Sequence, residues 1–166
     1  MIFVTVGTHE QQFNRLVEYI DKLKENGIIQ EEIIIQTGFS TYEPKFCKWQ
    51  KLFPYQEMVK NVAKARVVIT HGGPSSFIMP LQIGKIPVVV PRLYEYDEHV
   101  NNHQLDFSRE VAKRQGNIIC VENIEDLKNI ILSYEDLTIK LINEIKSNNV
   151  NFNEKLEKIV NDIFKR

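Results

Sequence analysis

The sequence predicts an α/β fold, a Rossmann-like three-layer domain built on a parallel sheet. Short runs of apolar and β-branched residues, typical of strands buried on both faces, alternate along the chain with segments of helical periodicity. Glycine turns separate the first strand and the central strand from the helices that follow them. A chain of 166 residues is long enough for one domain with a single core. Strands that alternate with helices in this way form parallel sheets with helices on both faces.

The first half of the chain contains two clear strands, two helices and one irregular stretch. Apolar residues recur at helical spacing from Phe13 to Leu23, and Asn26-Gly27 marks the end of that helix. The stretch from Thr41 to Gln50 has no clean period, so we predict a loop with one short element. The other elements expected here are a strand over Ile2–Val6, a strand over Glu32–Gln36, a short strand over Lys51–Phe53 and a helix from Gln56.

The second half continues the alternation to a last strand and ends in helices. Asp97 is expected to cap a helix over Glu98–Gln115, with candidate buried positions at Val100, Leu105, Phe107, Val111 and Ala112. The other expected elements are strands over Val67–Ile69, Pro87–Pro91 and Asn117–Val121, and helices over Pro74–Gly84, Ile124–Ile131, Ile139–Ile145 and Leu156–Ile163. We therefore expect a single domain over residues 1–166, with C-terminal helices from about residue 135.

A glycine loop at the centre of the chain is the strongest candidate for a ligand site. The central strand ends in His71-Gly72-Gly73, where two glycines allow a sharp turn and a close approach of a ligand to the backbone. Pro74 suits the first turn of a helix, and Ser75 and Ser76 add hydroxyl and N–H groups there. The unpaired N–H groups of a helix N-terminus attract phosphate or another anion. The alternative interpretation is a crossover whose glycines only form a tight turn.

Polar residues in two further loops fall at the same edge of the predicted sheet. Glu98-His-Val-Asn-Asn-His-Gln104 follows the next strand, and ligands of open parallel sheets bind at that carboxyl edge. Gly7 and Thr8 follow the first strand and form a second candidate phosphate contact, although Thr8 is equally suited to cap a helix. Together the loops suggest a site for a phosphorylated, hydroxyl-rich ligand. His9 and His71 are weak candidates for a catalytic role.

Composition and missing motifs narrow the function classes. The formal net charge is −1, so the chain has no broad basic field for nucleic acid. The sequence contains no G-x-G-x-x-G dinucleotide motif, no P-loop and no G-x-S-x-G nucleophile motif. Cys47 and Cys120 have no metal-type spacing and are expected to be reduced packing residues. No apolar run approaches the roughly 20 residues of a membrane span and the N-terminus has no basic signal-peptide region, so a cytoplasmic location is expected.

Three motifs that occur in this order resemble those of one known family. They are Thr70-His-Gly-Gly-Pro-Ser-Ser76, Gly84-Lys-Ile-Pro-Val-Val-Val-Pro91 and Glu98-His-Val-Asn-Asn-His-Gln104. With its opening Met1-Ile-Phe-Val-Thr-Val-Gly-Thr8, the chain resembles the nucleotide-sugar-binding C-terminal half of GT-B glycosyltransferases, the glycosyltransferase family 28 C-terminal domain. It is most similar to the small subunits of two-subunit enzymes. These include the bacterial capsule and exopolysaccharide pairs and the eukaryotic pair that adds the second N-acetylglucosamine to the dolichol-linked precursor.

The resemblance implies an inverting glycosyl transfer from a UDP-sugar, with no required metal and no cofactor. At matching positions, the central glycine loop would hold the diphosphate, with Gly7 and Thr8 on its other side. His103 and Gln104 would contact hydroxyls of the donor sugar, whereas His71 would contact the ribose or phosphate or only brace the loop. The implied donor-binding residues are Gly7, Thr8, His71, Gly72, Gly73, Ser75, Ser76, Glu98, Asn102, His103 and Gln104.

One position departs from the family pattern. Relatives often have a glutamate in the helix after the glycine loop, where it binds the ribose hydroxyls, and this sequence has Met79 there, followed by Pro80. Pro80 should kink the helix. Glu98 is the residue expected to hold the ribose instead; without such a replacement, nucleotide affinity would be weak.

The resemblance also implies a second polypeptide, because a GT-B enzyme has two Rossmann-like domains and this chain has the length of one. The expected partner is a membrane-anchored, acceptor-binding glycosyltransferase subunit, which would hold the chain at the inner face of the membrane. The expected reaction transfers a hexose or N-acetylhexosamine to a lipid-linked saccharide in capsular or exopolysaccharide biosynthesis. The C-terminal helices and Trp49–Tyr55 are candidate docking surfaces. Two alternatives stay open: an accessory subunit that raises its partner's activity, and a self-contained sugar-nucleotide epimerase, which the length disfavours.

Overall fold

A computed structural model of the chain describes residues 1–144, and these form an α/β domain around one parallel sheet. The predicted helix over Leu156–Ile163 lies outside the described residues. The six strands lie in the order β3-β2-β1-β4-β5-β6. They are β1 Ile2–Thr5, β2 Ile33–Gln36, β3 Lys48–Gln50, β4 Val67–His71, β5 Val88–Val90 and β6 Ile119–Cys120. This is the order of a doubly wound fold, in which the direction of winding reverses between β1 and β4.

Helices cover both faces of the sheet and complete the three layers. They are α1 Asn14–Glu25, α2 Tyr55–Lys64, α3 Pro74–Gln82, α4 His103–Gln115, α5 Leu127–Leu132 and α6 Tyr134–Glu144. The α1 and α5 helices pack on one face, and α2, α3 and α4 pack on the other. The predicted Rossmann-like α/β fold is therefore confirmed.

The side chains of β1 show why its sequence is apolar without interruption. Successive residues of a strand point to opposite faces of the sheet. Ile2 and Val4 pack with α1 and α5, whereas Phe3 packs with Val62 of α2. Because helices cover both faces, each of these positions is buried and each needs an apolar residue.

Two of the expected strands differ from those observed. The segment Lys51–Phe53 is not a strand; the short element of this region is β3, at Lys48–Gln50. Lys51 and Leu52 are exposed, and the chain turns there into α2. The last strand is limited to Ile119–Cys120, because only this part of Asn117–Val121 runs beside β5.

The expected start of α4 is also wrong. Asp97 does not cap this helix; it has a left-handed backbone with φ of 54° after a short 3-10 turn, and α4 begins at His103. Val100 and Phe107, expected to be buried, are exposed. The helical spacing of apolar residues therefore misplaced the start of the helix and two of its buried positions, whereas Val111 and Ala112 pack against the core as expected.

No helix within residues 1–144 is long and apolar enough to cross a membrane. Cys47 and Cys120 are free thiols. Burial is the main reason why their pKa values rise, to about 12 for Cys47 and about 11 for Cys120. High pKa values keep thiols protonated at neutral pH, which suits packing residues.

The conformation of Gly84 and the side chain of Lys85 link α3 to the end of α2. Gly84 has φ of 74°, which glycine adopts without strain, and follows the last residues of α3. The Lys85 ammonium donates to the backbone carbonyls of Val62, Ala63 and Ala65 at 2.9, 2.6 and 2.5 Å. Carbonyls at a helix C-terminus lack partners within the helix, so the ammonium satisfies them and complements the helix dipole.

We expect Lys85→Met to lower the free energy of unfolding by about 1–3 kcal/mol, because carbonyls in a partly buried position lose their partner. Urea denaturation measures the change. Lys64→Met in the last turn of α2 is the matched control, since Lys64 is exposed, and it should change stability by less than about 0.5 kcal/mol. Equal losses for the two variants would contradict the capping role of Lys85.

Candidate functional site

A cleft opens at the carboxyl edge of the sheet, where β1 and β4 lie side by side and the winding reverses. It has a volume of about 600 Å³ and lies between the loop after β1 and the start of α3. The cleft is lined by Thr5, Gly7, Thr8, His9, Glu10, Gln36, Met58, Val62, His71, Ser75, Ser76 and Met79. The structure therefore brings together the first glycine loop and the central glycine loop, two of the three loops singled out in the sequence.

The imidazole of His71 lies between two glycines at the floor of this cleft. A methyl group placed on Gly7 would lie 2.4 Å from Nε2 of His71, and one on Gly73 would lie 2.2 Å from Cε1. Both distances are far below van der Waals contact, so any side chain at either position would displace the ring. Gly7 also has φ of 76°, a conformation that favours glycine. The two glycines are thus required for the packing of His71 as well as for the turns.

Hydrogen bonds fix the protonation state of His71. The Gly73 N–H donates to Nδ1 at 2.9 Å, so Nδ1 carries no proton. Nε2 lies 2.6 Å from the Ser76 hydroxyl oxygen and, as the protonated nitrogen of a neutral ring, donates to it. Burial, with a smaller contribution from the charge of Arg92, lowers the pKa of His71 to about 4, which keeps the ring neutral. His71 therefore braces the loop and leaves the hydroxyl hydrogen of Ser76 available to a ligand.

Gln104 holds the central glycine loop against the loop after β5. Its side-chain oxygen accepts from the N–H of Gly72 at 3.0 Å and from that of Arg92 at 3.2 Å. A methyl group on Gly72 would lie 2.8 Å from Cβ of Gln104 and 2.9 Å from Oγ of Ser108. Gly72 thus allows α4 to pack directly on the loop. The side-chain oxygen of Gln104 is consequently used inside the fold.

A second depression lies on the other side of the central loop, between α3 and α4. It has a volume of about 630 Å³ and is lined by Gly72, Gly73, Pro74, His99, His103, Gln104, Asp106, Phe107 and Glu110. His103 is exposed here, at the first residue of α4. Most of the predicted residues are therefore divided between two depressions that have no lining residue in common and lie on either side of the glycine loop.

Glu98 does not line either depression, which corrects its expected role at a ribose. Its side chain is fully buried, and Arg15 donates to both of its oxygens, at 3.0 and 2.8 Å. The N–H of Leu93 donates to the same carboxylate at 3.0 Å. A ligand cannot reach a carboxylate that is enclosed in this way. Glu98 instead anchors the loop between β5 and α4.

Asn102 and Thr8 also differ from expectation. The side-chain oxygen of Asn102 accepts from the N–H of Tyr94 at 2.9 Å, and the residue precedes α4 without lining either depression. Thr8 is not a helix cap, because α1 begins only at Asn14; it is an exposed residue of the cleft. Asn102 therefore stabilises its own loop. Thr8 does not cap a helix and is accessible in the cleft.

Sequence reasoning missed residues that shape the cleft from neighbouring strands. Gln36, at the end of β2, donates to the Thr5 hydroxyl at 3.1 Å and accepts from the N–H of Phe53 at 3.0 Å. The Thr5 hydroxyl also accepts from the N–H of Gly7 at 3.2 Å. The sequence signal for both was a polar residue at the end of an otherwise apolar strand, which marks the carboxyl edge of a parallel sheet.

The charges and dipoles of the cleft favour an anion through neutral donors. Among the described residues that line it there is no lysine or arginine, and Glu10 is the one carboxylate. The first turn of α3, with Ser75 and Ser76, faces the cleft and brings the positive end of the helix dipole. Met58, Val62 and Met79 make the far part of the cleft apolar. The cleft thus has a polar part that suits phosphate and an apolar part that suits a flat ring.

We expect the His71 imidazole to remain the neutral Nε2–H tautomer from pH 8 down to about pH 5. Its pKa is depressed in the folded state and normal in the unfolded state, so the unfolded chain binds the extra proton between about pH 6.5 and 4. Stability should therefore fall with decreasing pH in that window. Nitrogen NMR shifts of the labelled ring report the tautomer. Protonation of His71 near pH 6.5 would contradict this interpretation.

We expect Gly7→Ala to abolish the packing of His71, whereas Gly84→Ala should not. Both glycines have nearly the same positive φ, 76° and 74°, so both variants carry a similar backbone strain. An added methyl group would clash with the His71 ring at Gly7, whereas at Gly84 it would have no atom within 4 Å. Thermal unfolding should show a larger loss for Gly7→Ala, and the NMR signals of the His71 ring should move in that variant alone. A loss of the same size in both variants would mean that backbone strain accounts for the whole effect.

Comparisons with known proteins agree with this architecture. Residues 1–162 match the glycosyltransferase family 28 C-terminal domain. The chain is 29% identical over 128 residues to the human UDP-N-acetylglucosamine transferase subunit ALG13, a match that covers 72% of this chain and 11% of that protein. The chain thus spans about a tenth of the length of that curated relative.

Two solved glycosyltransferases share the fold. One is the glycotransferase of kitacinnamycin, with a TM-score of 0.60 and 14% identity over 86% of this chain and 37% of that one. The other is SnogD from Streptomyces nogalater, with a TM-score of 0.50 and 17% identity over 73% of this chain and 31% of that one. In both, this chain corresponds to about a third of the enzyme. The match across nearly the whole sequence, on a parallel sheet with a cleft at its reversal point, confirms the family resemblance: the chain belongs to the glycosyltransferase family 28 C-terminal domain family.

Proposed function

We propose that the chain is the donor-binding subunit of a UDP-sugar-dependent glycosyltransferase. The observation that carries the proposal is the cleft between the loops after β1 and β4, with its polar part at the N-terminus of α3 and its apolar part at Met58, Val62 and Met79. A volume of about 600 Å³ lies within the range of small-molecule sites. The diphosphate would lie against Gly7, Ser75 and Ser76, and the uracil ring would lie at the apolar part.

Catalysis by such a site would stabilise the leaving group. Negative charge grows on the diphosphate as the bond between the sugar and the diphosphate breaks, and the positive end of the α3 dipole would stabilise that charge. Ser76 would donate its hydroxyl hydrogen, since its oxygen already accepts from His71. We propose an inverting transfer, as the family resemblance implies, in which these groups act on the leaving diphosphate without a metal or a resident cofactor.

His9 is the remaining candidate for the general base that an acceptor hydroxyl needs. It lines the cleft and is exposed, and its ring centroid lies 5.7 Å from that of His99. His71 is unsuited to this role, because both of its nitrogens are engaged inside the loop. The donor sugar would lie toward His103, on the exposed side of the glycine loop.

A second subunit would supply the acceptor. The human relative is a subunit of a UDP-N-acetylglucosamine transferase, which supports an assembly of more than one chain. We propose a membrane-anchored partner, a lipid-linked saccharide acceptor and a role in capsular or exopolysaccharide synthesis, with the chain held peripherally at the cytoplasmic face. Exposed Leu132, Ile139 and Ile142 form an apolar surface on α5 and α6 that is suited to such a partner.

We expect saturation-transfer NMR to detect UDP and UDP-sugars bound to the isolated chain, with the uridine signals saturated most. Ser76→Ala should weaken binding by about tenfold or more, because a hydrogen bond to a charged group contributes about 1.5–3 kcal/mol. Ser133→Ala, outside the cleft, is the matched control and should bind as the parent does. Binding that is unchanged in Ser76→Ala would place the diphosphate elsewhere.

The accessory-subunit alternative predicts a different result. In that case the partner alone would transfer sugar, and the addition of this chain would raise the rate without a UDP site of its own. An assay of the partner with and without the chain, and with the Ser76→Ala variant, separates the two functions. Donor binding by this chain requires that the partner alone is inactive and that the variant restores less activity than the parent.

A further inference from the structure

We infer that the edge strand β3 and its flanking residues dock directly onto an anionic membrane surface. The sequence Lys45-Phe-Cys-Lys-Trp-Gln-Lys-Leu52 repeats a lysine followed by a large apolar residue three times, at intervals of three residues. All six of these side chains are exposed, including Trp49 at 40%. We call this segment the basic apolar edge.

The backbone of the basic apolar edge is held rigidly from the inside. The buried carboxylate of Asp21 accepts from the N–H groups of Lys45, Phe46 and Cys47 at 2.8 to 3.0 Å. Burial opposes ionisation of Asp21, but these backbone donors and the Tyr42 hydroxyl outweigh it, so its pKa is lowered. Hydrogen bonds between β3 and β2 hold the backbone of Lys48–Gln50. The exposed side chains of this segment therefore project from a backbone that is held in place by hydrogen bonds.

Protection of a sheet edge does not account for this composition. Lysines on an edge strand prevent pairing with other chains, but exposed Phe46, Trp49 and Leu52 have the opposite effect. Phe39 and Tyr55, the latter 74% exposed, extend the apolar surface beside the edge. The Lys51 ammonium lies 4.6 Å from the centre of the Phe39 ring.

The charges favour a lipid surface over a protein partner. The basic apolar edge has three lysines and no carboxylate, although the whole chain has a net charge of −1. Protein interfaces are depleted in lysine, whereas lysine and aromatic residues together are typical of membrane interfaces. Lysine stems lie along apolar surface while the ammonium reaches the lipid phosphates. Lys48 forms an ion pair with Glu32 at 2.6 Å, but both groups are exposed and such pairs exchange readily.

The test uses the intact chain and large vesicles of phosphatidylcholine, with or without 30% phosphatidylglycerol (about one anionic lipid in three, a surface of the kind that attracts basic segments). Trp49 is the only tryptophan of the chain, so its fluorescence reports this edge alone. We expect a blue shift with the anionic vesicles only, with quenching by bromine-labelled lipid. No shift with anionic vesicles would overturn the inference, and the edge would then be available to a protein.

Charge variants locate the binding. The triple variant Lys45→Gln, Lys48→Gln, Lys51→Gln should lose about a hundredfold in vesicle affinity, since each lysine near an anionic surface contributes about fivefold. The control Lys113→Gln, Arg114→Gln, Lys140→Gln removes the same charge from exposed positions elsewhere and should keep most of the affinity. Equal losses would assign binding to net charge and overturn the role of the edge. Thermal unfolding checks that both variants fold. The vesicle assay contains no nucleotide, so its result does not depend on whether the chain binds UDP.

Discussion

The buried guanidinium of Arg92 is the interaction on which the shape of the site depends. It lies directly after β5, is fully enclosed, and donates to the backbone carbonyls of Val6, Gln11 and Gln12 at 2.7 to 2.9 Å. Burial lowers its pKa to about 10, although nearby Glu98 opposes the shift, so the group remains charged at neutral pH. A buried charge without partners costs several kcal/mol, so these carbonyls must stay in place. The loop after β1 is thereby fixed to the loop after β5, and the cleft lies beside that junction.

Glycines then determine what fits beside the junction. His71 fills the space that side chains would occupy at Gly7 and Gly73, and its neutral ring accepts a hydrogen bond from the Gly73 N–H and donates one to the Ser76 hydroxyl. The His71 ring therefore limits the width of the cleft. It also orients the Ser76 hydroxyl, whose hydrogen can be donated to a ligand. Gly72 has the separate role of admitting α4. Three glycines that look equivalent in the sequence thus meet two different steric demands, the packing of His71 and the packing of α4.

The sequence predicted the features that depend on local pattern and missed those that depend on distant pairing. Apolar runs located β1, β2, β4 and β5, and proline and glycine located both ends of α3, because each signal acts within a few residues. Glu98 was misassigned since its partner, Arg15, lies 83 positions away and nothing local shows that the carboxylate turns inward. The start of α4 was missed for the same reason, because an inward Glu98 cannot lie in the first turn of an exposed helix.

These corrections change what a ligand can use. With Glu98 enclosed and Met79 at the position where the resemblance implies a glutamate, neither acidic group expected to hold ribose hydroxyls is available in the cleft. Glu10 is the carboxylate that lines the cleft, and on the proposed assignment most of the affinity for a nucleotide would come from its two ends, the diphosphate at the N-terminus of α3 and the base at Met58, Val62 and Met79. Each end is weak by itself, since a helix terminus contributes about 0.3–1 kcal/mol at an exposed position. A site of this kind discriminates by the distance between its two parts, so a ligand must have both an anion and a flat ring at that spacing to bind.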